Sequence, residues 1–152
     1  MFRLDERLQA DTVYLGRLPL CKVLMMKDRR YPWLILVPSR SNVFEYYHLK
    51  KEDRLQLMEE SAFVAEKMAD HFASDSMNIA ALGNVVAQLH VHHVARFKTD
   101  PAWPGPVWGH SPAEAYSDEE LEARSEEMIN LLNSHFIKES EADDDIQDTV
   151  YW

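Results

Sequence analysis

The spacing of apolar positions changes several times along this chain, and each change marks an element. Residues 12–18 and 21–27 are apolar-rich runs separated by Pro19, and residues 33–37 form a third run closed by Pro38. Short runs bounded by Pro and charged turn residues predict strands, with Asp28-Arg29-Arg30 as the turn before the third. Residues 40–49 hold no period and predict irregular chain. From 51 to 73 the period lengthens: Leu55, Met58, Ala62, Ala65, Ala69 and Phe72 recur every three or four residues, uninterrupted by Gly or Pro. That spacing predicts a long amphipathic helix that packs through this stripe. Residues 77–82 predict a fourth strand, Gly83-Asn84 a bend, and residues 86–97 a fifth strand. Residues 101–109 are rich in Pro and Gly and predict a loop. Ser117 with Glu120 three residues on is a capping box, opening a second helix that runs to about Phe136. No internal repeat is visible. The order β-β-β-α-β-β-α predicts an α+β fold: an antiparallel sheet with a long amphipathic helix on one face and a C-terminal helix.

Composition narrows the class. The 152 residues are 46% hydrophobic and 28% charged, ordinary for a globular protein that builds one core. The single Cys21 leaves no intramolecular disulfide and fits a reducing compartment. The first residues lack the apolar stretch of a signal peptide, and no run approaches the ~20 apolar residues of a membrane helix. A cytoplasmic protein with no membrane partner is expected. The net charge of −10 argues against nucleic acid as a partner, but much of it is local. Residues 138–148 set six acids against Lys138, the composition of a solvated, disordered tail. Elsewhere Lys27, Arg29, Arg30, Arg40, Arg96 and Lys98 lie near the early strands and the fifth, which leaves an anionic small substrate allowed. Arg96 and Lys98 are expected to be solvated. His48, His71, His110 and His135 show no pattern of partners.

The chemistry concentrates in Gln88-Leu89-His90-Val91-His92-His93-Val94. Successive side chains of a strand point to opposite faces. Gln88, His90 and His92 would therefore share one face, leaving His93 a structural position on the other. Imidazoles act as nucleophiles, proton carriers or metal ligands near neutral pH, and two on one rigid face make a preorganised site.

These residues resemble the signature of the histidine triad (HIT) nucleotide hydrolases and transferases, His-x-His-x-His-x-x with apolar x, here with Gln in the first triad position. The resemblance extends to Asn78 and Gly83-Asn84, similar to the family's lead-in, and to the strand at 33–38 that ends in Pro. It covers roughly residues 10–110. It implies a HIT-like catalytic domain over 1–110, a helical extension over 111–137 and a tail over 138–152.

The resemblance also implies roles. His90 would be the nucleophile, its Nδ1–H held by a backbone carbonyl so that Nε2 attacks an α-phosphorus. His92, as a cation, would stabilise charge on the phosphate or leaving group. Gln88 would hydrogen-bond within the triad without titrating. Asn78, Gly83 and Asn84 would bind substrate, since Gly permits close backbone approach and amides in a bend cradle an anion. Asp28 falls near a ribose-contacting position. Trp103, in a segment resembling the Trp-Pro-Pro-Gly of one branch, would stack on a base or close the site.

The implied activity is hydrolysis or nucleotidyl transfer on an adenine nucleotide derivative, of diadenosine polyphosphate or nucleoside phosphoramidate type, through a nucleotidyl-histidine intermediate. The implied assembly is a homodimer, without metal or other cofactor. Apolar Leu57, Phe63, Val64 and Met68, off the main stripe of the long helix, would be its association surface. Two alternatives come from other classes: a nucleotide-binding module without turnover, and a zinc-dependent hydrolase using His90 and His92, which would need further ligands.

Overall fold

The computed structural model describes residues 1–138; the acidic segment read as a tail lies, beyond Lys138, outside the described residues. Five strands form one antiparallel sheet: β1 (Thr12–Arg17), β2 (Cys21–Met26), β3 (Trp33–Pro38), β4 (Ser76–Ala81) and β5 (Val91–Arg96), in the order β1-β2-β3-β5-β4. Among the described residues the α-helices are α1 (Glu6–Asp11), α2 (Lys51–Phe72) and α3 (Asp118–Leu132). Every predicted strand and both predicted helices are present. The short α1 was not anticipated; Asp5 caps it by accepting the Arg7 amide at 2.8 Å.

β5 lies between β3 and β4, so its side chains enter two different cores. On one face Cys21, Val23, Met25, Leu34, Leu36 and Ala95 meet Leu57, Val64 and Met68 of α2 and Met128 and Leu132 of α3. α3 thus belongs to the same core as the sheet. On the other face Leu24, Trp33, Ile35, Val37 and Val94 are covered by Phe2 and Leu8 from the N-terminal segment and by Ala102 and Val107 from the loop after β5.

The reading of α2 needs correction. Its buried face is Asp53, Gln56, Leu57, Glu60, Ser61, Val64 and Met68, whereas Leu55 and Met58, expected in the core, are 60% and 67% exposed. Leu57, Val64 and Met68, read as surplus, are core. The pattern misled because the packed face is rich in polar residues that find partners. Asp53 accepts Arg40 Nε at 2.8 Å, and Ser61 bonds to His93 at 2.7 Å. Glu60 accepts the Leu20 and Cys21 amides, each at 2.9 Å, and the Gln56 side chain at 2.7 Å. Burial raises the pKa of Glu60 against those hydrogen bonds. Polar groups so satisfied can be buried at little cost.

Arg96 needs correction too. It is 1% exposed and holds the end of β5 to everything around it. Nε and Nη2 bond both Asp100 oxygens at 2.8 and 3.0 Å, Nη1 reaches Asn78 Oδ1 at 2.7 Å, and Nη2 reaches the Gly105 carbonyl at 2.8 Å. Tyr31 and Trp103 flank the guanidinium at 5.9 and 5.7 Å. Burial pushes the Asp100 carboxyl up, but Arg96 and the Phe97 and Trp103 amides outweigh it and leave the pKa below the usual value. His71, read as unpartnered, meets Glu127 at 2.7 Å and ties α2 to α3.

Removing one member of a buried pair strands the other. Arg96→Met should lower stability by about 3–5 kcal/mol, measured by urea unfolding, and Arg96→Met with Asp100→Leu should recover part of the loss. A loss below about 1 kcal/mol, the level of a surface pair, would contradict the role given to Arg96.

Candidate active site

The covered face of the sheet opens into a cleft of about 510 Å³, within the ~300–1,000 Å³ usual for small-molecule sites. Its floor is Trp33, Ile35, His90 and His92; α1 supplies Arg7, Leu8 and Asp11; the chain after β2 supplies Asp28; and the loops after β4 and β5 supply Asn84, Val86, Val107 and Trp108. Apolar side chains thus share the lining with two imidazoles, Asp28 and Asn84.

His90 precedes β5 by one residue, so the strand is shorter than the expected 86–97. Its Nδ1–H donates to the Gln88 carbonyl at 2.7 Å. This is the backbone acceptor expected for a histidine whose Nε2 is left unprotonated. His92 pairs with Ile35 in the sheet, and Trp33 pairs with Val94. Trp33 and His92 are thus diagonal neighbours on one face, close enough for large side chains to touch. The Trp33 indole N–H donates to His92 Nδ1 at 2.9 Å. The His92 ring lies 4.9 Å from that of His90 and 5.4 Å from that of Trp108. Burial, then His90 and His93, lower the His92 pKa to about 3. His92 is neutral in the folded chain, and the expected cation is not what this environment supports.

His93 points to the other core. Its Nδ1–H donates to the Val91 carbonyl at 3.0 Å and Ser61 bonds to Nε2 at 2.7 Å, while burial lowers its pKa to about 4.

The other expected site residues divide. Asn84 and Asp28 line the cleft, with both Asp28 oxygens bonded to Arg30 at 2.9–3.0 Å. Gly83 lies beside it, exposed, in the loop after β4, where an added Cβ would meet nothing closer than 3.9 Å. Gln88, Asn78 and Trp103 are not brought to the cleft. The Gln88 side chain turns to the N-terminal segment, accepting the Asp5 amide at 2.9 Å and donating to the Arg3 carbonyl at 2.8 Å. The alternation that would align it with His90 fails because β5 begins only at Val91. Asn78 serves Arg96, and Trp103 flanks the same guanidinium. The tryptophans that do line the cleft are Trp33 and Trp108. Trp33 lies in the strand quoted for the resemblance, but its closeness to His92 depends on a register that one sequence does not display. Among the described residues no group of three or more His, Cys, Asp or Glu could hold a metal ion, so the further ligands a zinc site needs are not found there.

A model of the HIT domain family matches residues 7–99. A histidine triad protein from Marinobacter aquaeolei is 47% identical over 89% of this chain and 98% of its own, with a TM-score of 0.86. One from Sinorhizobium meliloti is 44% identical over 87% and 98%, TM-score 0.83. Another, from Bradyrhizobium japonicum, is 41% identical over 90% and 98%, TM-score 0.82. No curated protein matches. This chain, with its imidazole-bearing cleft on a five-stranded antiparallel sheet, belongs to the HIT domain family.

Neutral, buried histidines make stability depend on pH with a definite sign. Unfolded, His92 and His93 protonate near ~6.5; folded, they resist protonation until about 3 and about 4. Their contribution is therefore complete above pH ~6.5 and is lost as pH falls toward those values, at about 1.4 kcal/mol per pH unit for each. Urea midpoints measured from pH 7 to 4 should fall, and His93→Gln should show a shallower slope. An unchanged slope in the variant would mean that His93 titrates freely in the folded state.

Proposed function

We propose that this protein is a nucleotide hydrolase or nucleotidyl transferase acting at the α-phosphorus of an adenine nucleotide derivative, with His90 as the nucleophile. The observation that carries this reading is the Gln88 carbonyl on His90 Nδ1, which assigns the lone pair to Nε2 in a cleft of nucleotide size. In the first step Nε2 bonds to phosphorus and the bond to the leaving group breaks. The imidazolium so formed keeps its Nδ1–H on the carbonyl, where the hydrogen bond strengthens as charge develops. Water then attacks phosphorus, the N–P bond returns its electron pair to His90, and a nucleoside monophosphate leaves.

On this reading Gln88 fills the first triad position by sequence but acts on the N-terminal segment, holding α1 as one wall of the cleft. On the same reading Asp28 accepts ribose hydroxyls and Asn84 donates to phosphate; that both line the cleft supports these roles. His90→Gly should reduce turnover of an adenosine polyphosphate or phosphoramidate by at least about 10³-fold while folding is retained. Gln88→Ala should cost less. Equal losses would show the roles to be misassigned, and nucleotide binding without turnover in the unaltered protein would leave a binding module instead.

The same reading includes a homodimer. Met58 and Ile79, each half-exposed or more, line one largely apolar groove between α2 and β4, a surface that favours association. Light scattering should give about twice 17.7 kDa, and Met58→Glu should shift it toward the monomer. A monomer in the unaltered protein at micromolar concentration would remove the dimer.

A further inference from the structure

Trp33 bonds to the one nitrogen of His92 whose state decides what that histidine can do. A neutral imidazole carries one N–H, and the other nitrogen accepts. The Trp33 indole can only donate, so its 2.9 Å bond to Nδ1 requires Nδ1 to be the acceptor and puts the proton on Nε2. A doubly protonated ring would set two N–H groups against each other. The ring is also enclosed: His92 is 6% exposed, and Trp33 and Trp108 lie edge-on to it at 5.6 and 5.4 Å, and to each other at 6.0 Å. His90, one residue before β5, faces it at 4.9 Å, while His93 acts on it only through the strand from the opposite face. The remaining titratable side chains that line the cleft among the described residues are Arg7, Asp11 and Asp28. Asp28 is paired with Arg30, and Asp11 lies 3.6 Å from Arg7.

We propose that Trp33 is a positioning residue that fixes His92 as a neutral Nε2–H donor, and that the cleft is in consequence matched to leaving groups that depart as stable anions. This rests on the hydrolase reading above and selects within it the phosphoanhydride over the phosphoramidate. When Nε2 of His90 bonds to the α-phosphorus of an anhydride, the breaking P–O bond leaves its electron pair on a phosphate oxygen. That oxygen needs a hydrogen bond and no proton, which a neutral N–H supplies. A departing amine must gain a proton as the P–N bond breaks. His92 could give its only proton by becoming an imidazolate, which is far too basic to form near neutral pH. Arg7 does not release one either.

The test has two arms. Histidine ¹⁵N–¹H NMR reads the tautomer without reference to activity. In the wild-type protein His92 should show a protonated Nε2 and an unprotonated Nδ1, unchanged from pH 8 to 5. In Trp33→Phe, which keeps a ring but removes the donor, it should exchange between tautomers and titrate at higher pH. Protonated Nδ1 in the wild type, or an identical signature in Trp33→Phe, overturns the role of Trp33. The kinetic arm compares ADP with an adenosine 5′-phosphoramidate of an alkylamine. The anhydride should be favoured in kcat/KM by about 100-fold or more, the low end of what a positioned proton donor contributes, and Trp33→Phe should narrow that ratio below pH 6. Equal or faster phosphoramidate turnover in the wild type overturns the leaving-group preference. Turnover of neither overturns the hydrolase reading and the preference together, while the NMR arm still judges Trp33 alone.

Discussion

A guanidinium buried at the end of β5 holds the site face of this fold together. An unpaired charge in that position would be prohibitive. Arg96 avoids the penalty only because Asp100, Asn78 and the Gly105 carbonyl converge on it. That requirement fixes three things at once: the end of β5, its neighbour β4, and the path of the loop that follows. The loop carries Ala102, Val107 and Trp108 onto the sheet, so the wall of the cleft is located by an ion pair outside it.

The two faces of the sheet are stabilised differently. Beneath α2 and α3 the core mixes aliphatic side chains with polar residues whose partners lie across the interface, such as Glu60 on the Leu20 and Cys21 amides. Such contacts are directional, and they specify how α2 lies on the sheet in a way that apolar contact alone does not. The opposite face is more aromatic and less completely covered. Among the described residues it is covered by the N-terminal segment with the short α1 and by two loops, and the incompletely filled space there is the cleft. β5 links the two, with His93 bonded to Ser61 on the helical side and His92 to Trp33 on the other.

Every histidine of the motif has Nδ1 occupied, His90 and His93 by a backbone carbonyl and His92 by an indole N–H. Carbonyls on His90 and His93 make Nδ1 a donor, which leaves the Nε2 lone pair of His93 to Ser61 and that of His90 to the cleft; the indole on His92 does the reverse. Adjacent imidazoles with opposite tautomers present a lone pair and an N–H to one cleft, the complementary pair that the proposed displacement at phosphorus uses. Burial maintains the His92 side of this pair by lowering its pKa to about 3, so that ring stays neutral.

The sequence alone determined the strands, the long helix and the family, because these depend on local period and on a motif read in a single stretch. It also placed His90 and His92 together, since two-residue spacing brings side chains to one face of extended chain whatever surrounds it. Four features were decided only by tertiary structure. The core face of α2 was misread because apolar count does not reveal which polar residues, Asp53, Glu60 and Ser61, will find partners when buried. Arg96 looked solvated because Asn78 and Gly105, which help to bury it, are 18 and 9 residues away. Gln88 left the row because extended pairing starts only at Val91, and its amide bonds to a segment more than 80 residues earlier. The state of His92 was set by Trp33, 59 residues distant in sequence. Protonation and burial follow from which groups lie nearby in space, and for these side chains strand register and loop path decide that.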